Sequence, residues 1–156
     1  MKPLWVLCYI MEFEAKFFNE LTVSQLYEIL KSRAEIFMLE QGIICQDMDG
    51  KDYDSLHCFI TDKGRVVAYL RAFQNKESEK IATVGRVLTL VHKNGMGRYL
   101  MERSIDAIKT SFGCDKILVH AQKQAVGFYE KIGFRTISDE FLEEGVVHLT
   151  MELELN

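Results

Sequence analysis

The sequence predicts one α/β domain built on a mixed, mostly antiparallel sheet of about seven strands flanked by three to four helices. Three observations support this fold class. The chain has 156 residues, which suits one domain with a sizeable core. Segments with strand-type and helix-type apolar spacing follow one another in the order β, α, β, β, β, α, β, α, β, β. The single proline is Pro3, so no Pro-marked linker divides the chain.

The first ten residues are a candidate extension. An apolar run at residues 4–10 follows Lys2, but it is short for a secretory signal and far too short for a membrane span. We therefore expect residues 1–10 to be an N-terminal extension, either non-native or due to an upstream start codon, and residues 11–156 to form the domain. The alternative is a strand that continues into residues 12–18.

A short strand containing Phe13, Phe17 and Phe18 comes first, and Thr22 and Gln25 then form a capping box that opens a helix. Apolar residues recur at spacings of three and four up to Met38, which predicts one helix ended by Gly42.

An acidic loop follows the helix, with four aspartates around Gly50: Asp47, Asp49, Asp52 and Asp54. Counted from Asp47, the glycine comes fourth and Cys58 twelfth, which does not match a calcium-binding EF-hand loop. Two interpretations stay open: solvated turn carboxylates, or a rim that attracts a cationic substrate.

Two strand-like segments, residues 56–60 and 66–73, flank a hairpin turn at residues 62–64. A further strand at residues 81–91 leads to Gly95 and Gly97, which open a helix that ends at Gly113. The first amides of a helix have no partner within it, so this turn is a candidate phosphate site; the alternative is an ordinary surface loop. The Walker and dinucleotide-binding glycine patterns are both absent.

The last third of the chain predicts a strand at residues 116–121, a short helix at residues 125–132 closed by Gly133, and two strands at residues 136–142 and 146–155.

Composition excludes several classes of protein. A net charge of -4 argues against general nucleic-acid binding. The chain has four cysteines that form no paired motif: Cys8, Cys45, Cys58 and Cys114. Their scatter argues against a zinc site or a disulfide framework and favours reduced thiols in the cytoplasm. We expect no metal and no membrane association.

The element order, the glycine turn after the fourth strand, and the spacing Gln122-x-x-Ala125-x-x-Phe128-Tyr129-x-x-x-Gly133-Phe134 together resemble the GNAT superfamily of acyl-CoA N-acyltransferases. Further motifs resemble its ElaA-like branch: Arg33-x-x-x-Phe37-x-x-Glu40-Gln41, Gln46-Asp47-x-Asp49-Gly50-x-Asp52, Gly85-Arg86-Val87 and Glu143-Glu144-Gly145-x-x-His148.

The resemblance implies a site for acetyl-CoA between splayed fourth and fifth strands. It assigns the pyrophosphate to the loop His92, Lys93, Asn94, Gly95, Met96, Gly97 and Arg98, where His92 departs from the usual Arg or Gln. It assigns the pantetheine arm to Leu88, Thr89 and Leu90, puts Gln122 in the place of the usual Asn, and brings Tyr129 to the thioester sulfur.

Acyl transfer to an amine needs an acid for the departing thiolate and a base for the acceptor ammonium. Tyr129 is the candidate acid. The candidate bases are Glu40, Asp47, Asp49 and His148, with Glu143 and Glu144 behind them, whereas His57 and His120 are interpreted as strand residues without a catalytic role. Gln41, Asp47, Asp49 and Arg86 are assigned to acceptor binding.

The function implied is direct transfer of acetyl from acetyl-CoA to a primary amine, of a small molecule or a peptide, in a ternary complex. The alternatives are a non-catalytic acyl-CoA-binding or regulatory module on the same fold, and a small interaction domain without a cofactor. The sequence does not specify an oligomeric state; a homodimer is one candidate, since dimers are the commonest soluble oligomers.

Overall fold

A computed structural model describes residues 11–156, and the predicted extension at residues 1–10 lies outside the described residues. Eight strands form one open sheet in the order β1-β2-β3-β4-β5-β8-β6, with β7 also paired to β8. The strands are β1 (Met11–Phe17), β2 (Leu56–Asp62), β3 (Arg65–Gln74), β4 (Ile81–Thr89), β5 (Lys116–Gln122), β6 (Arg135–Thr136), β7 (Phe141–Glu143) and β8 (Val146–Glu154). Only β4 and β5 pair in parallel among them, so the predicted mixed, mostly antiparallel sheet is confirmed.

Three α-helices cover the two faces of the sheet: α1 (Val23–Arg33), α2 (Met96–Phe112) and α3 (Val126–Ile132). Short 3₁₀ helices occupy Phe18–Glu20, Lys51–Asp54 and Lys123–Ala125. Helices α2 and α3 pack against one apolar face of the sheet. The buried residues of this cluster include Leu100 and Met101 of α2 and Tyr129 of α3. Helix α1 covers a smaller cluster that includes Ile29, Phe59 and Tyr69.

The start of α1 is as predicted. The Thr22 hydroxyl accepts a hydrogen bond from the Gln25 amide, and the Gln25 side-chain oxygen accepts one from the Thr22 amide, both at 3.0 Å. The expected single α-helix is wrong beyond Arg33, because a π-helix occupies Ala34–Glu40. There the Gln41 amide bonds to the Ile36 carbonyl, five residues earlier, at 2.9 Å.

The strand predicted at residues 136–142 is also wrong, since it divides into β6 and β7 along one edge of β8. The Ile137 amide still bonds to the Thr150 carbonyl at 2.9 Å. The Ser138 hydroxyl then accepts the Thr150 amide at 2.8 Å and replaces a backbone partner. This side-chain bond interrupts the ladder and makes eight strands where seven were expected.

Two irregularities of β4 create the space for a site. The β3–β4 register shifts between the Arg71↔Gly85 and Tyr69↔Leu88 pairs, and Arg86 has a φ of 54°, as expected of a β-bulge. Before the bulge, residues 81–84 of β4 pair with residues 116–119 of β5, after which the two strands part. The predicted splay of the fourth and fifth strands is therefore present.

Candidate functional site

A cavity of about 380 Å³ lies where β4 and β5 separate. Its wall includes the π-helix through Phe37, β4 through residues 83–87, β5 through Val119, His120 and Gln122, α3 through Tyr129, and the β7–β8 hairpin through Glu143, Glu144 and His148. Strand β3, through Arg71 and Phe73, and the loop at residues 43–51 also contribute. The cavity therefore brings together side chains from both halves of the chain.

Tyr129, the predicted acid, lies on this wall and is 5% exposed. Its ring packs edge-on against Phe128 and Phe134, with centroid distances of 5.1 and 5.5 Å. Burial raises the pKa of the phenol above its ordinary value, without a contribution from a neighbouring charge or hydrogen bond. The side chain is thus held rigidly in its protonated form.

The glycine turn begins α2 as predicted. Lys93 and Gly95 have φ values of 59° and 80°, and Gly95 is the N-cap. One amide of this bend has a side-chain partner, since the Met96 amide donates to the Asn94 side-chain oxygen at 3.1 Å. The amides of Gly97 and Arg98 have no acceptor among residues 11–156 and stay available to an anion.

Two basic side chains beside this turn, His92 and Arg98, have carboxylate partners. His92 Nε2 lies 2.6 Å from Glu40 Oε1, and Arg98 Nε lies 2.8 Å from Glu102 Oε1. Glu40, a predicted base, is therefore placed at the glycine turn and does not line the cavity. Glu102, which lies one helical turn after Arg98, was not predicted as its partner.

The strand segment predicted to hold the pantetheine arm leads from the cavity to the glycine turn. Leu88 is buried in the cluster beneath α1, and the Leu90 amide donates to the Val67 carbonyl at 2.8 Å. Thr89 lies near Gly97, whose added Cβ would be 3.6 Å from the Thr89 methyl. No side chain of this segment lines the cavity, so any contact from it is made by backbone or at the rim.

Three of the four aspartates of the acidic loop form a network with three arginines, whereas Asp54 is exposed and takes no part in it. Arg33 Nη1 lies 2.7 Å from Asp52 Oδ1, and Arg33 Nε lies 2.9 Å from Asp47 Oδ2. The other contacts join Arg71 to Asp49 at 2.6 Å and to Asp52 at 3.0 Å, and Arg86 to Asp47 at 2.7 Å. Three positive and three negative charges thus compensate one another at the cavity floor.

The network fixes the charge state of its members. Burial alone would raise the pKa of Asp52, but hydrogen bonds and charges from Arg33 and Arg71 outweigh burial and lower it. Burial opposes the same effect at Asp49, where Arg71 again lowers the pKa. Asp47 and Asp49, assigned to acceptor binding by the resemblance, are therefore already engaged by guanidinium groups.

Gln122 extends from the end of β5 to the rim of the cavity. Its amide nitrogen donates to the Gln41 side-chain oxygen at 2.9 Å, and its oxygen accepts from Gln124 at 2.6 Å. This contact connects β5 to the residue that follows the π-helix. Gln41 and Gln122 thus lie together, although the sequence places them 81 residues apart.

Two histidines and one glutamate form a second cluster among the residues that line the cavity. His120 Nδ1 lies 3.0 Å from Glu143 Oε1, and His148 Nε2 lies 3.6 Å from Glu143 Oε2. The hydrogen bond that Glu143 accepts from His120 is the main cause of the raised pKa of His120, and the same bond lowers the pKa of Glu143. Sequence reasoning missed His120, although alternation along β5 puts it two residues before Gln122, the partner of His148 in β8.

His57 lies outside the cavity, as its interpretation as a strand residue requires. It is fully buried, with Nδ1 2.8 Å from the Tyr69 hydroxyl and Nε2 2.9 Å from the Asp52 carbonyl. Burial lowers its pKa. The three cysteines of the described chain, Cys45, Cys58 and Cys114, have free thiols.

Across the described range, no three His, Cys, Asp or Glu side chains converge in a way that could hold a metal ion. Between Met11 and Asn156, no helix has both the length and the apolar character needed to cross a bilayer.

Comparison with known proteins supports the resemblance. The family profile described as "Acetyltransferase (GNAT) domain" matches residues 29–155. A UPF0039 protein of Schizosaccharomyces pombe is 35% identical over 149 residues, which cover 93% of this chain and 98% of that protein. Protein ElaA of Escherichia coli is 29% identical over 141 residues, which cover 88% of this chain and 92% of that protein.

Solved structures agree with the sequence relatives. An acyl-CoA N-acyltransferase from Pseudomonas aeruginosa superposes with a TM-score of 0.83 at 29% identity, covering 91% of this chain and 98% of that one. Escherichia coli ElaA superposes with a TM-score of 0.85 at 28% identity, covering 93% and 100%.

Proposed function

Because this chain belongs to the GNAT acetyltransferase family, we propose that it transfers an acetyl group from acetyl-CoA to a primary amine by direct attack within a ternary complex. The observation that carries the proposal is the cavity at the divergence of β4 and β5, which is lined by Tyr129 and His148. The amine belongs to a small molecule or a peptide, and the free thiols of the chain suit a reducing, cytoplasmic setting.

The residues at the start of α2 suit a diphosphate. Two unpaired amides and the positive end of a helix of 17 residues favour a bound anion. Lys93 and Arg98 lie beside the same turn, and Gly97 packs against Phe128, so that α2 and α3 meet there. When bound, acetyl-CoA supplies the activated acyl thioester; the chain supplies its position and the proton transfers.

Tyr129 is proposed as the acid. The reaction forms a C–N bond and breaks a C–S bond, and the acceptor ammonium loses two protons, of which one ends on the departing sulfur and one goes to solvent. A phenol kept neutral by burial can donate to the sulfur as negative charge develops there, and it is reprotonated by the second proton from nitrogen.

His148 is proposed as the base in preference to Glu40. It is 7% exposed and lines the same cavity as Tyr129, whereas Glu40 is held by His92 at the glycine turn. A neutral imidazole can accept a proton from the ammonium and release it again to solvent, as a base must in each turnover.

Two measurements test this function in sequence. Calorimetry with acetyl-CoA is expected to show stoichiometric binding, and release of free thiol is then followed with a panel of primary amines. Binding together with amine-dependent thiol release supports transfer. Binding with no release for any amine supports instead a non-catalytic acyl-CoA-binding module, for which the departure at His92 is the relevant feature. The absence of binding overturns both.

A further inference from the structure

Glu143 and His148 face each other on the cavity wall without forming a hydrogen bond. Their nearest atoms, Glu143 Oε2 and His148 Nε2, are 3.6 Å apart, which exceeds a hydrogen-bond distance. Both residues belong to the β7–β8 hairpin, where Glu143 pairs with Val146 and Phe141 with His148. Glu143, His148 and Tyr129 all line the same cavity.

The proton on His148 can be located from its other nitrogen. Nδ1 lies 2.7 Å from the Val146 carbonyl oxygen, and a carbonyl can only accept a hydrogen bond. Nδ1 therefore carries the hydrogen, and in the neutral ring Nε2 has only a lone pair. Two hydrogen-bond acceptors, a carboxylate oxygen and an imine nitrogen, thus face each other with no donor between them.

Neighbouring side chains hold both acceptors in place. The second oxygen of Glu143 is bonded to His120 Nδ1 at 3.0 Å, which keeps the carboxylate ionised. The Phe141 ring stacks on the His148 ring at 6.0 Å with an angle of 24°, and it meets the His120 ring edge-on at 5.2 Å. These contacts orient both the Glu143 carboxylate and the His148 ring, so the arrangement of the two hydrogen-bond acceptors is a defined part of the cavity wall.

We propose that Glu143 Oε2 and His148 Nε2 together bind the ammonium group of the substrate amine. An alkylammonium has three N–H donors and no acceptor, so one N–H bonds Glu143 Oε2, a second bonds His148 Nε2, and its positive charge is balanced by the carboxylate. The N–H shared with His148 is the bond that breaks: its proton passes to Nε2, and its electron pair remains on nitrogen as the attacking lone pair. This inference rests on the proposed acetyl transfer for its catalytic meaning, but the binding site itself does not.

The carboxylates of Glu143 and of Glu144 beside it favour a cation at the pair, and the basic groups that face it from other elements oppose one. The groups facing it from other elements are His120 on β5, Arg86 on β4 and Lys51 on the acidic loop, with Glu144 beside it in the hairpin. Arg86 is already compensated by Asp47. A primary ammonium can bridge both acceptors, whereas a quaternary ammonium of similar charge has no N–H and cannot.

The test uses the whole protein, labelled with ¹⁵N-histidine, and methylammonium chloride as the probe. Long-range ¹H–¹⁵N spectra, recorded above the ordinary histidine pKa of about 6.5, report which nitrogen of His148 is protonated. Tetramethylammonium chloride at the same ionic strength is the matched ligand control. Glu143→Gln removes the proposed anchor, and Glu140→Gln removes an exposed carboxylate just before β7 that pairs with Lys123.

We expect His148 to carry hydrogen on Nδ1 alone and its Nε2 resonance to shift saturably with methylammonium only. Loss of a charge-assisted bond in Glu143→Gln weakens this response about tenfold or more, while Glu140→Gln responds like the wild type. A His148 protonated on both nitrogens, an equal response to tetramethylammonium, or an unaltered response in Glu143→Gln overturns the site.

Failure of this site and failure of acetyl transfer are distinguishable, because methylammonium binding needs no acetyl-CoA. A selective methylammonium response in a protein that does not bind acetyl-CoA retains the ammonium site and removes the transferase. Amine-dependent thiol release without a selective response removes only the ammonium site.

Discussion

At the scale of single residues, the proposed role of Tyr129 as the acid gives a direct prediction. Replacing it with Phe retains the ring that packs against Phe128 and Phe134 and removes only the proton donor. We expect Tyr129→Phe to bind acetyl-CoA with unchanged affinity and to lower kcat for thiol release by about 100-fold or more, the usual contribution of a positioned acid. Tyr27→Phe, at an exposed position of α1, is the control. An unchanged kcat would remove Tyr129 from the mechanism.

The aspartate–arginine network makes a prediction about stability. Asp52 contacts Arg33 and Arg71, both buried, so Asp52→Asn leaves two guanidinium groups partly uncompensated. Breaking a buried pair costs about 3–5 kcal/mol of unfolding free energy, which urea unfolding at neutral pH should detect. Asp54→Asn, two residues later and exposed, should change little.

The sign of the pH dependence of that network follows from its pKa. The pKa of Asp52 is lowered on folding, so its contribution is complete above the unfolded-state value of about 3.9 and is lost as pH falls through the folded-state value. The difference in unfolding free energy between wild type and Asp52→Asn should therefore be largest at neutral pH and narrow in acid. A difference that grows in acid would contradict the structural role.

At the scale of elements, two glycines that are alike in space differ in backbone conformation. A Cβ on Gly95 or on Gly127 would meet no atom within 4 Å, but only Gly95 has a positive φ, of 80°. We expect Gly95→Ala to cost about 1–2 kcal/mol in urea unfolding and to weaken acetyl-CoA binding in calorimetry, because the turn before α2 must change. Gly127→Ala, inside α3, should be neutral or stabilising by up to about 1 kcal/mol. Equal effects would show that the turn conformation is not what Gly95 supplies.

Elements defined by local patterns were predictable, and those defined by tertiary contacts were not. The capping box of Thr22 and Gln25 and the stops at Gly113 and Gly133 are local signals, and the structure contains them. The π-helix after Arg33 keeps the same apolar spacing as an α-helix over one turn, so periodicity could not separate the two. The break at Ser138 depends on one side chain replacing a backbone partner across β8.

The same division applies to the site. Motif spacing was enough to propose Tyr129 and the glycine turn, and the structure puts Tyr129 on the cavity wall. The sequence could not show that Asp47 belongs to an ion network. Its partner Arg86 is 39 residues away, and the direction of the Arg86 side chain depends on a β-bulge. His120 needed the register of β5 against β8, which a single sequence does not specify.

At the scale of the whole molecule, the contact between Glu40 and His92 joins the π-helix to the phosphate loop across 52 residues of sequence. A carboxylate at this position repels a diphosphate and competes with it for the His92 ring. The same Glu40 would be essential if it were the base. The two roles predict opposite results for Glu40→Gln, which makes this substitution decisive.

If Glu40 only holds His92, Glu40→Gln keeps kcat and strengthens acetyl-CoA binding by up to about fivefold, since an exposed ion pair contributes about 0.2–1 kcal/mol. Glu35→Gln, in the same π-helix but paired with Arg65, is the matched control and should alter neither quantity. His148→Gln should lower kcat strongly under the same conditions. A Glu40→Gln variant that binds acetyl-CoA normally but releases no thiol would return the role of base to Glu40, and His148 would then serve only to position the acceptor.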